Sequence, residues 1–278
     1  MSMRTTSTHV PVTILALAVA SIATVATGCE EKKPPLPAPP ASASAASSAA
    51  APAPKGVRFG LEAGSSATLD MPAPKEHIAA RVEGATGALE IVTADLAKSH
   101  GQVKLDLTTL TTSTFKDARD KEQTAHARTW LEVADGEKGK LPDDVKEKNR
   151  YAVYDIRAVE NPSATDLAKV PAAKDEAGGG DVRKVTLTTK GELTVHGKKV
   201  DKEAELECVF RYPAGAPADK PSGLTVTTKK PFVVTLAEHD VKPRNAAGAL
   251  AKDFFHLLGT KVADTAAVTL DLRAKPSP

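Results

Sequence analysis

Residues 184–197, KVTLTTKGELTVHG, decide the fold of this chain. In the first half, Val185 and Leu187 alternate with charged and hydroxyl side chains, which is the period-two pattern of a β-strand with one apolar face. In the second half, Leu193 and Val195 continue the alternation and lead into a His-Gly pair, a combination typical of a tight turn. The stretch therefore predicts a strand that turns directly into a second strand.

The same alternation recurs along much of the chain. The predicted strands place the following residues on their inner, apolar face: Val103, Leu105, Leu107, Val185, Leu187, Leu193, Leu206, Phe210, Phe232, Val234, Leu236, Val268 and Leu270. Weaker strand patterns occur at residues 78–83, 89–92 and 151–159. We expect about eight strands in all. The simplest assembly of such one-faced strands is an antiparallel sheet closed into a barrel.

Two segments without this alternation are predicted to be helical. Residues 119–133 contain neither Gly nor Pro and place Trp130 and Leu131 at helical spacing from Ala127. Residues 245–258 carry a stripe of Leu and Phe and end directly before a glycine, which is a common helix stop. The sequence therefore predicts an all-β fold with short helices that cover an opening of the barrel.

Residues 1–28 have the composition of an export signal, and they end directly before Cys29. Arg4 supplies positive charge, and residues 10–26 carry no charged side chain. The pattern resembles a bacterial lipoprotein signal, in which a peptidase cuts before a cysteine that carries diacylglycerol. An ordinary cleaved signal and an uncleaved anchor are the alternatives, although the segment is short for a membrane span. Because each buried acyl methylene contributes about 0.8 kcal/mol, lipid on Cys29 would hold the protein to a membrane.

Residues 29–56 contain mostly Pro, Ala and Ser, a composition that cannot build a core. At about 3.1 Å per residue in the extended limit, residues 30–55 of this tether could hold a folded part up to roughly 80 Å from the lipid surface. Residues 57–278 then form the predicted barrel domain. We expect the lipid-anchored protein in the bacterial cell envelope, at the outer membrane and facing the periplasm.

Several motifs, in their order along the chain, carry a resemblance to a known family. GALEI at 87–91 and GQVKLDLTTL at 101–110 resemble its early strands, and HARTWL at 126–131 resembles the helix that follows them. GELTVHG at 191–197 resembles its most recognisable hairpin, which reads Gly-x-Leu-Thr-x-x-Gly. Over residues 66–274 the chain thus resembles the YceI-like family of periplasmic polyisoprenoid-binding proteins. The resemblance implies a lipocalin-like antiparallel β-barrel.

The interior of such a barrel is where a function is expected. About eight strands enclose a space that side chains can just fill, or that can hold one slender ligand. We expect a bound isoprenoid, quinone or fatty acid, and no resident cofactor or metal. A cation or an indole at the barrel mouth can hold a phosphate or quinone end, and the candidates are Arg119, His126, Trp130 and Arg244. The alternative is an envelope interaction or structural lipoprotein whose barrel is filled and holds no ligand.

The net charge of the chain and the motifs that it lacks bear on two other classes of function, nucleic-acid binding and catalysis. The chain has 37 Lys plus Arg and 35 Asp plus Glu, a formal net charge of +2, so a nucleic-acid partner is not expected. The sequence contains no HExxH, CxxC or Gly-x-Ser-x-Gly motif, so we do not expect an enzyme. The pair His239-Asp240 comes closest to a catalytic or metal-binding site. Its position at the solvent-exposed end of a predicted strand is the simpler explanation. Cys208 lies on an apolar strand face and is predicted to be a buried, unreactive thiol.

Overall fold

Antiparallel β-strands make up most of the fold in the computed structural model, which describes residues 56–72, 77–136, 139–176, 178–244 and 263–278. The strands are β1 Val57–Leu61, β2 Ser66–Met71, β3 Ile78–Val82, β4 Thr86–Ile91, β5 His100–Asp106, β6 Thr111–Thr112, β7 Tyr151–Glu160, β8 Ala173–Lys174, β9 Asp181–Val195, β10 Lys198–Tyr212, β11 Gly223–Thr228, β12 Phe232–Thr235 and β13 Thr265–Pro276. Cys29, the tether and the helix predicted for residues 245–258 lie outside the described residues.

Eight of these strands form a closed ring. The order is β1, β4, β5, β7, β9, β10, β11 and β13, and β13 pairs again with β1. Every pairing in this ring is antiparallel. Closure leaves no unpaired ladder edge around the ring, which removes a site of edge-to-edge association. The predicted antiparallel barrel of about eight strands is therefore confirmed.

The remaining strands extend the ring at one end. β1 and β2 lie in line on the same side of β13, with Leu61 opposite Ala274 and Ser66 opposite Asp271. β3 continues β4, β6 continues β5, and β12 continues β11 in the same way. Four of the ring strands are thus long strands that break once. Three breaks are adjacent, because Ala85 N donates to Ser65 O at 3.4 Å and Glu83 N donates to Thr109 Oγ1 at 3.0 Å.

The hairpin predicted from residues 184–197 is the longest pairing of the fold. β9 and β10 pair without interruption from Val195 opposite Lys198 to Asp181 opposite Tyr212. The two turn residues, His196 and Gly197, have φ angles of 51° and 71°. Two successive positive φ angles make a type I′ turn, whose twist matches that of the flanking strands. The prediction of a strand that turns directly into a second strand is confirmed.

One end of the barrel is filled by large side chains. Phe59, Leu96, Leu167, Phe210 and Leu224 are all fully buried. They lie towards the end of the ring where β9 begins and β10 finishes, as the pairing of Phe210 with both Arg183 and Leu224 shows. Because a fully buried Leu or Phe contributes roughly 1.5–3 kcal/mol, this half of the interior supplies much of the stability of the fold.

Two α-helices accompany the strands among the described residues, α1 Arg119–Trp130 and α2 Asp143–Asn149. The helix predicted for residues 119–133 is present but ends earlier, because Glu132 adopts a left-handed φ of 55°. Short 3₁₀ turns occur at Leu96–Lys98, Leu107–Thr109, Leu167–Lys169 and Ala237–His239. No helix in the described part of the chain is both long and apolar enough to cross a membrane.

Two residues that were predicted within strands lie in or beside these turns. Leu107 starts a 3₁₀ turn, because the Asp106 carboxylate accepts a hydrogen bond from Thr108 N and draws the backbone out of the ladder. Leu236 precedes the turn Ala237–His239 with helical φ and ψ. Both corrections concern the backbone, since each side chain still points into the barrel as described below.

Candidate functional site

The end of the barrel opposite the filled half contains an apolar cavity of about 150 Å³. Ala127, Trp130 and Leu131 of α1 and its C-terminal cap form one wall. The residues predicted from sequence that line this cavity are Val103, Leu105, Leu107, Leu193, Phe232, Val234, Leu236, Val268 and Leu270. An apolar cavity of this size is large enough to hold a benzene-sized group.

A second cavity of about 50 Å³ lies deeper in the barrel. Three other predicted inward residues line it, namely Leu187, Leu206 and Phe210. Val185 lines neither cavity and is packed in the core with 1% of its surface exposed. Both cavities have Val103, Tyr154 and Leu270 in their walls. These three side chains therefore form the partition between the two spaces.

Tyr154 on β7 is the polar member of this partition. Its hydroxyl donates to Lys202 O at 3.1 Å and lies 3.2 Å from Thr189 Oγ1. Burial raises the pKa of Tyr154 above its usual value, so the phenol stays neutral. The ring packs beside Gly191, where an added Cβ would lie 2.9 Å from Tyr154 Cε2 and 2.2 Å from Asp155 O. The glycine that opens the GELTVHG motif therefore makes room for Tyr154 and for the neighbouring strand.

Of the four predicted head-group residues, the structure brings Trp130 and Arg244 together. The indole Nε1 of Trp130 donates to Arg244 O, and the indole ring lines the larger cavity. Arg119 lies on the exposed surface, where it forms an ion pair with Asp117 at 2.7 Å. His126 is also exposed and lines neither cavity. The pair at the mouth of the barrel is thus Trp130 and Arg244.

The guanidinium of Arg244 contacts the carboxylate of Glu132 rather than pointing into the cavity as a lone cation. The same carboxylate lies 2.7 Å from His196 Nε2 and accepts from Asn149 Nδ2 at 3.3 Å. Only 16% of the Glu132 side chain is exposed, so these contacts compensate a largely buried charge. This cluster joins both helices, the β9–β10 turn and the segment at Arg244. Its members are far apart in the sequence, so no local pattern could have revealed it.

His239 is a site residue that the sequence interpretation placed wrongly. It lies in the turn Ala237–His239, is fully buried and lines the larger cavity, so it is no solvated strand end. Its Nδ1 lies 3.2 Å from Lys198 O. Burial lowers the pKa of His239 below its usual value, while hydrogen bonding to the backbone at Lys198 acts in the opposite direction. The apolar neighbours Leu236 and Val241 were the sequence signal for this burial.

The side chains around the two cavities are almost all apolar and offer few reactive groups. Cys208 lines the smaller cavity and is buried as predicted, and burial raises the pKa of its thiol to about 12. Among the described ranges, no three His, Cys, Asp or Glu side chains are grouped as a metal ion requires. The arrangement favours binding through burial of apolar surface.

Comparisons with known proteins give matches only among solved structures. No family model and no curated protein matches this chain. The chain is similar to a polyisoprenoid binding domain from Saccharophagus degradans implicated in plant cell wall breakdown, at 15% identity over 80% of this chain and 99% of that chain, with a TM-score of 0.46. It is also similar to Burkholderia cenocepacia BcnA, at 14% identity over 76% of this chain and 96% of that chain, with a TM-score of 0.41.

Proposed function

We propose that this protein binds a long apolar chain, such as an isoprenoid, a quinone tail or a fatty acid, inside its β-barrel. The observation that carries the proposal is the cavity of about 150 Å³, which is lined almost entirely by apolar side chains among the described residues and shares three wall residues with a second space of about 50 Å³. A barrel that served only as an interaction surface would gain stability by filling this volume, since unfilled core space is costly. The cavity therefore favours the binding function over the filled-barrel alternative.

The size of the cavity sets the affinity that it could provide. A group of about six carbons fits a cavity of this volume. At about 0.8 kcal/mol per buried methylene, that group would contribute roughly 5 kcal/mol, which corresponds to a dissociation constant below about 1 mM. A longer chain would bind more tightly if it displaced the partition at Tyr154 and entered the second space.

The proposal also covers where the protein works. A lipid on Cys29 would anchor the chain to the outer membrane, and residues 29–56 would carry the barrel into the periplasm within reach of membrane lipids. The supporting features are the uncharged segment at residues 10–26 that precedes Cys29 and the Pro-, Ala- and Ser-rich composition that follows it. In this location, the apolar chain that fills the barrel would come from the membrane itself.

Lipid extraction tests the binding function directly. The full chain is purified from a bacterial host and extracted with organic solvent, and mass spectrometry then quantifies isoprenoid quinones, polyprenyl phosphates and fatty acids. We expect one of these classes at about one molecule per chain. The absence of stoichiometric lipid from preparations in several hosts would overturn the proposal and favour the filled-barrel alternative.

A matched pair of variants links the lipid to the cavity. Ala152→Leu adds three carbons to the wall of the larger cavity and should reduce the retained lipid several-fold. Ala168→Leu makes the same change at an exposed position and should leave retention unchanged. Equal retention in the two variants would show that the lipid lies elsewhere on the protein.

A further inference from the structure

Beyond the closed ring, the β-ladder beside the larger cavity has a gap. The pairing of β10 with β11 ends at Leu206, and Lys229 N then donates to Glu205 O at 2.8 Å. β10 continues past this point, but β12, the strand that follows β11, pairs only with β13 among the described strands. Within the described part of the chain, residues 199–204 of β10 therefore have no backbone partner on the side that faces β12. This interval is termed the wall gap.

Side chains, rather than a ladder, span the wall gap. Lys202 of β10 forms an ion pair with Glu238 in the turn after β12, and its Nζ lies 2.8 Å from Oε2. Hydrogen bonding from Lys202 lowers the pKa of Glu238, so the carboxylate is charged at neutral pH. Because 45% of the Glu238 side chain is exposed, solvent screens this pair, and it holds the two elements together only weakly.

A polar groove of about 470 Å³ lies on the outer surface beside the wall gap. β10 contributes Glu203 and Glu205 to its lining, and the start of β12 contributes Phe232 and Val233. Phe232 is the one described residue that lines both this groove and the larger cavity. Its side chain therefore stands between the apolar interior and the outer surface.

The side of the larger cavity that α1 covers is held more firmly. Thr112 N donates to Thr124 Oγ1 at 2.9 Å, and Thr112 Oγ1 donates to Asp120 O at 2.8 Å. Arg128 Nε also donates to Leu110 O at 2.8 Å. Opening the cavity on this side would break these hydrogen bonds, which are costly to leave unmade away from water. Opening the wall gap requires the loss of a partly exposed ion pair and the displacement of one aromatic side chain.

We propose that an apolar chain enters and leaves the larger cavity through the wall gap, with the Phe232 side chain as the gate. This inference rests on the proposed binding function and adds the route by which the cavity is loaded. Rotation of Phe232 away from the gap would join the cavity to the groove without breaking a β-ladder, and side-chain rotation is much faster than local unfolding. Val233, of which 53% is exposed, offers an apolar surface where the chain can make its first contact.

The binding kinetics of a chain-like probe test this route. 1-Bromohexane is a short apolar chain, and its bromine quenches the fluorescence of a nearby indole. Trp130, the one tryptophan of the chain, lines the larger cavity and therefore reports the arrival of the probe. Stopped-flow mixing with the full chain at pH 7.5 gives the association and dissociation rate constants, and their ratio gives the dissociation constant.

Two variants open the wall gap in different ways. Phe232→Ala removes the gate and should raise both rate constants at least about fivefold. Lys202→Met keeps the alkyl stem but removes the ion pair with Glu238, and it should raise both rate constants about threefold. Since Lys202 lines neither the cavity nor the groove, its replacement should leave the dissociation constant unchanged. This second variant keeps the test informative if Phe232→Ala fails to fold.

Two control variants leave the wall gap intact. Lys174→Met breaks a partly exposed ion pair with Asp181 at the filled end of the barrel and should leave both rate constants unchanged. Arg128→Met removes the hydrogen bond that joins α1 to Leu110 O. It should accelerate exchange of the probe only if the chain passes under α1.

The outcomes separate this inference from the proposed function. Faster exchange in Phe232→Ala or Lys202→Met, with both controls at wild-type rates, supports the route. The route is overturned, and the binding function stands, if the wild type binds the probe and neither variant exchanges it faster than the controls. Acceleration in Arg128→Met as large as in Lys202→Met has the same meaning. If the wild type does not bind the probe, the binding function falls and the route falls with it.

Discussion

The indole Nε1 of Trp130 donates a hydrogen bond to the backbone oxygen of Arg244 across 2.9 Å. The guanidinium of Arg244 in turn contacts Glu132, which follows Trp130 by two residues. Two links therefore join the C-terminal end of α1 to the segment that carries Arg244. Because the indole ring also lines the cavity, this connection couples the wall of the cavity to the stability of the fold.

Replacing Trp130 separates its two contributions. Trp130→Phe removes the hydrogen bond and should lower the free energy of unfolding by about 1 kcal/mol, as measured by urea denaturation with circular dichroism. Trp130→Ala also removes the ring from the cavity wall and should reduce the lipid retained after purification. If the alanine variant folds and retains as much lipid as the wild type, Trp130 has no role in holding the ligand.

Neutralising Glu132 should destabilise the mouth of the barrel. Glu132→Gln leaves Arg244 and His196 without their shared carboxylate in a largely buried site, and we expect a loss of about 2 kcal/mol in the free energy of unfolding. Glu122→Gln makes the same change on the exposed face of α1 and should cost less than about 0.5 kcal/mol. Equal effects of the two variants would mean that the buried cluster contributes no more than a surface charge.

Shortening Tyr154 should extend the binding site. Tyr154→Leu removes much of the partition between the two cavities, so the affinity for 1-decanol relative to 1-hexanol should rise at least roughly fivefold. Tyr154→Phe removes the hydroxyl but keeps the ring, so it should leave this relative affinity close to the wild-type value. Trp130 fluorescence measures both affinities. An unchanged preference in Tyr154→Leu would mean that ligands do not pass the partition.

Thiol titration tests the state of both cysteines. The chain contains two, and burial raises the pKa of Cys208 to about 12, so this thiol stays protonated in the folded protein at pH 8. A disulfide reagent should therefore find no reactive thiol in the folded, lipidated protein. After unfolding in urea it should find one, whereas a chain without lipid on Cys29 would show two.

The ion pair of Asp106 and Arg150 predicts a specific acid sensitivity. Burial acts to raise the pKa of Asp106, but hydrogen bonds from Arg150, at 2.8 Å, and from Thr108 lower it below its ordinary value of 3.8. The stabilisation is therefore fully present above that value and is lost as the pH falls through the lower pKa of the folded state. Asp106→Asn should remove this component of the acid dependence in urea denaturation between pH 5 and 2. Asp144→Asn, at an exposed position, should leave the acid dependence as in the wild type.

Much of the barrel was predictable from the sequence because its strands have one apolar face. Period-two alternation identified both halves of the β9–β10 hairpin, and it placed Leu193 and Val268 on the wall of the cavity. The same rule worked at Leu236 although the backbone there is helical, since the side chain still meets the cavity. Period-two alternation of apolar residues indicates which side chains are buried. It does not indicate at which residue a strand ends.

The polar part of the site was not predictable in this way. Glu132 meets Arg244 and His196 only after the chain has folded, and no spacing in the sequence brings them together. Tyr154 was not singled out, because a strand pattern does not distinguish a side chain that lines a cavity from one that packs in the core. His239 was interpreted as a solvated strand end, because its burial depends on the turn Ala237–His239. Head-group candidates chosen for charge alone, such as Arg119, lie on the surface.

The four broken strands have a consequence for the kinetics of the barrel. Their breaks separate an end held by Phe59, Leu167 and Phe210 from the cavity end, where the short strands β2, β3, β6 and β12 lie beside the unbroken β7, β9, β10 and β13. Short ladders with little packed volume open at lower free energy than the rest of a fold. We therefore expect the short strands at the cavity end to open locally while the other end keeps the chain folded, so that a ligand bound as proposed would exchange without global unfolding. The dissociation rate of such a ligand and the rate of global unfolding would then be separate quantities. Substitutions at the cavity end would change the first, and substitutions at the filled end would change the second.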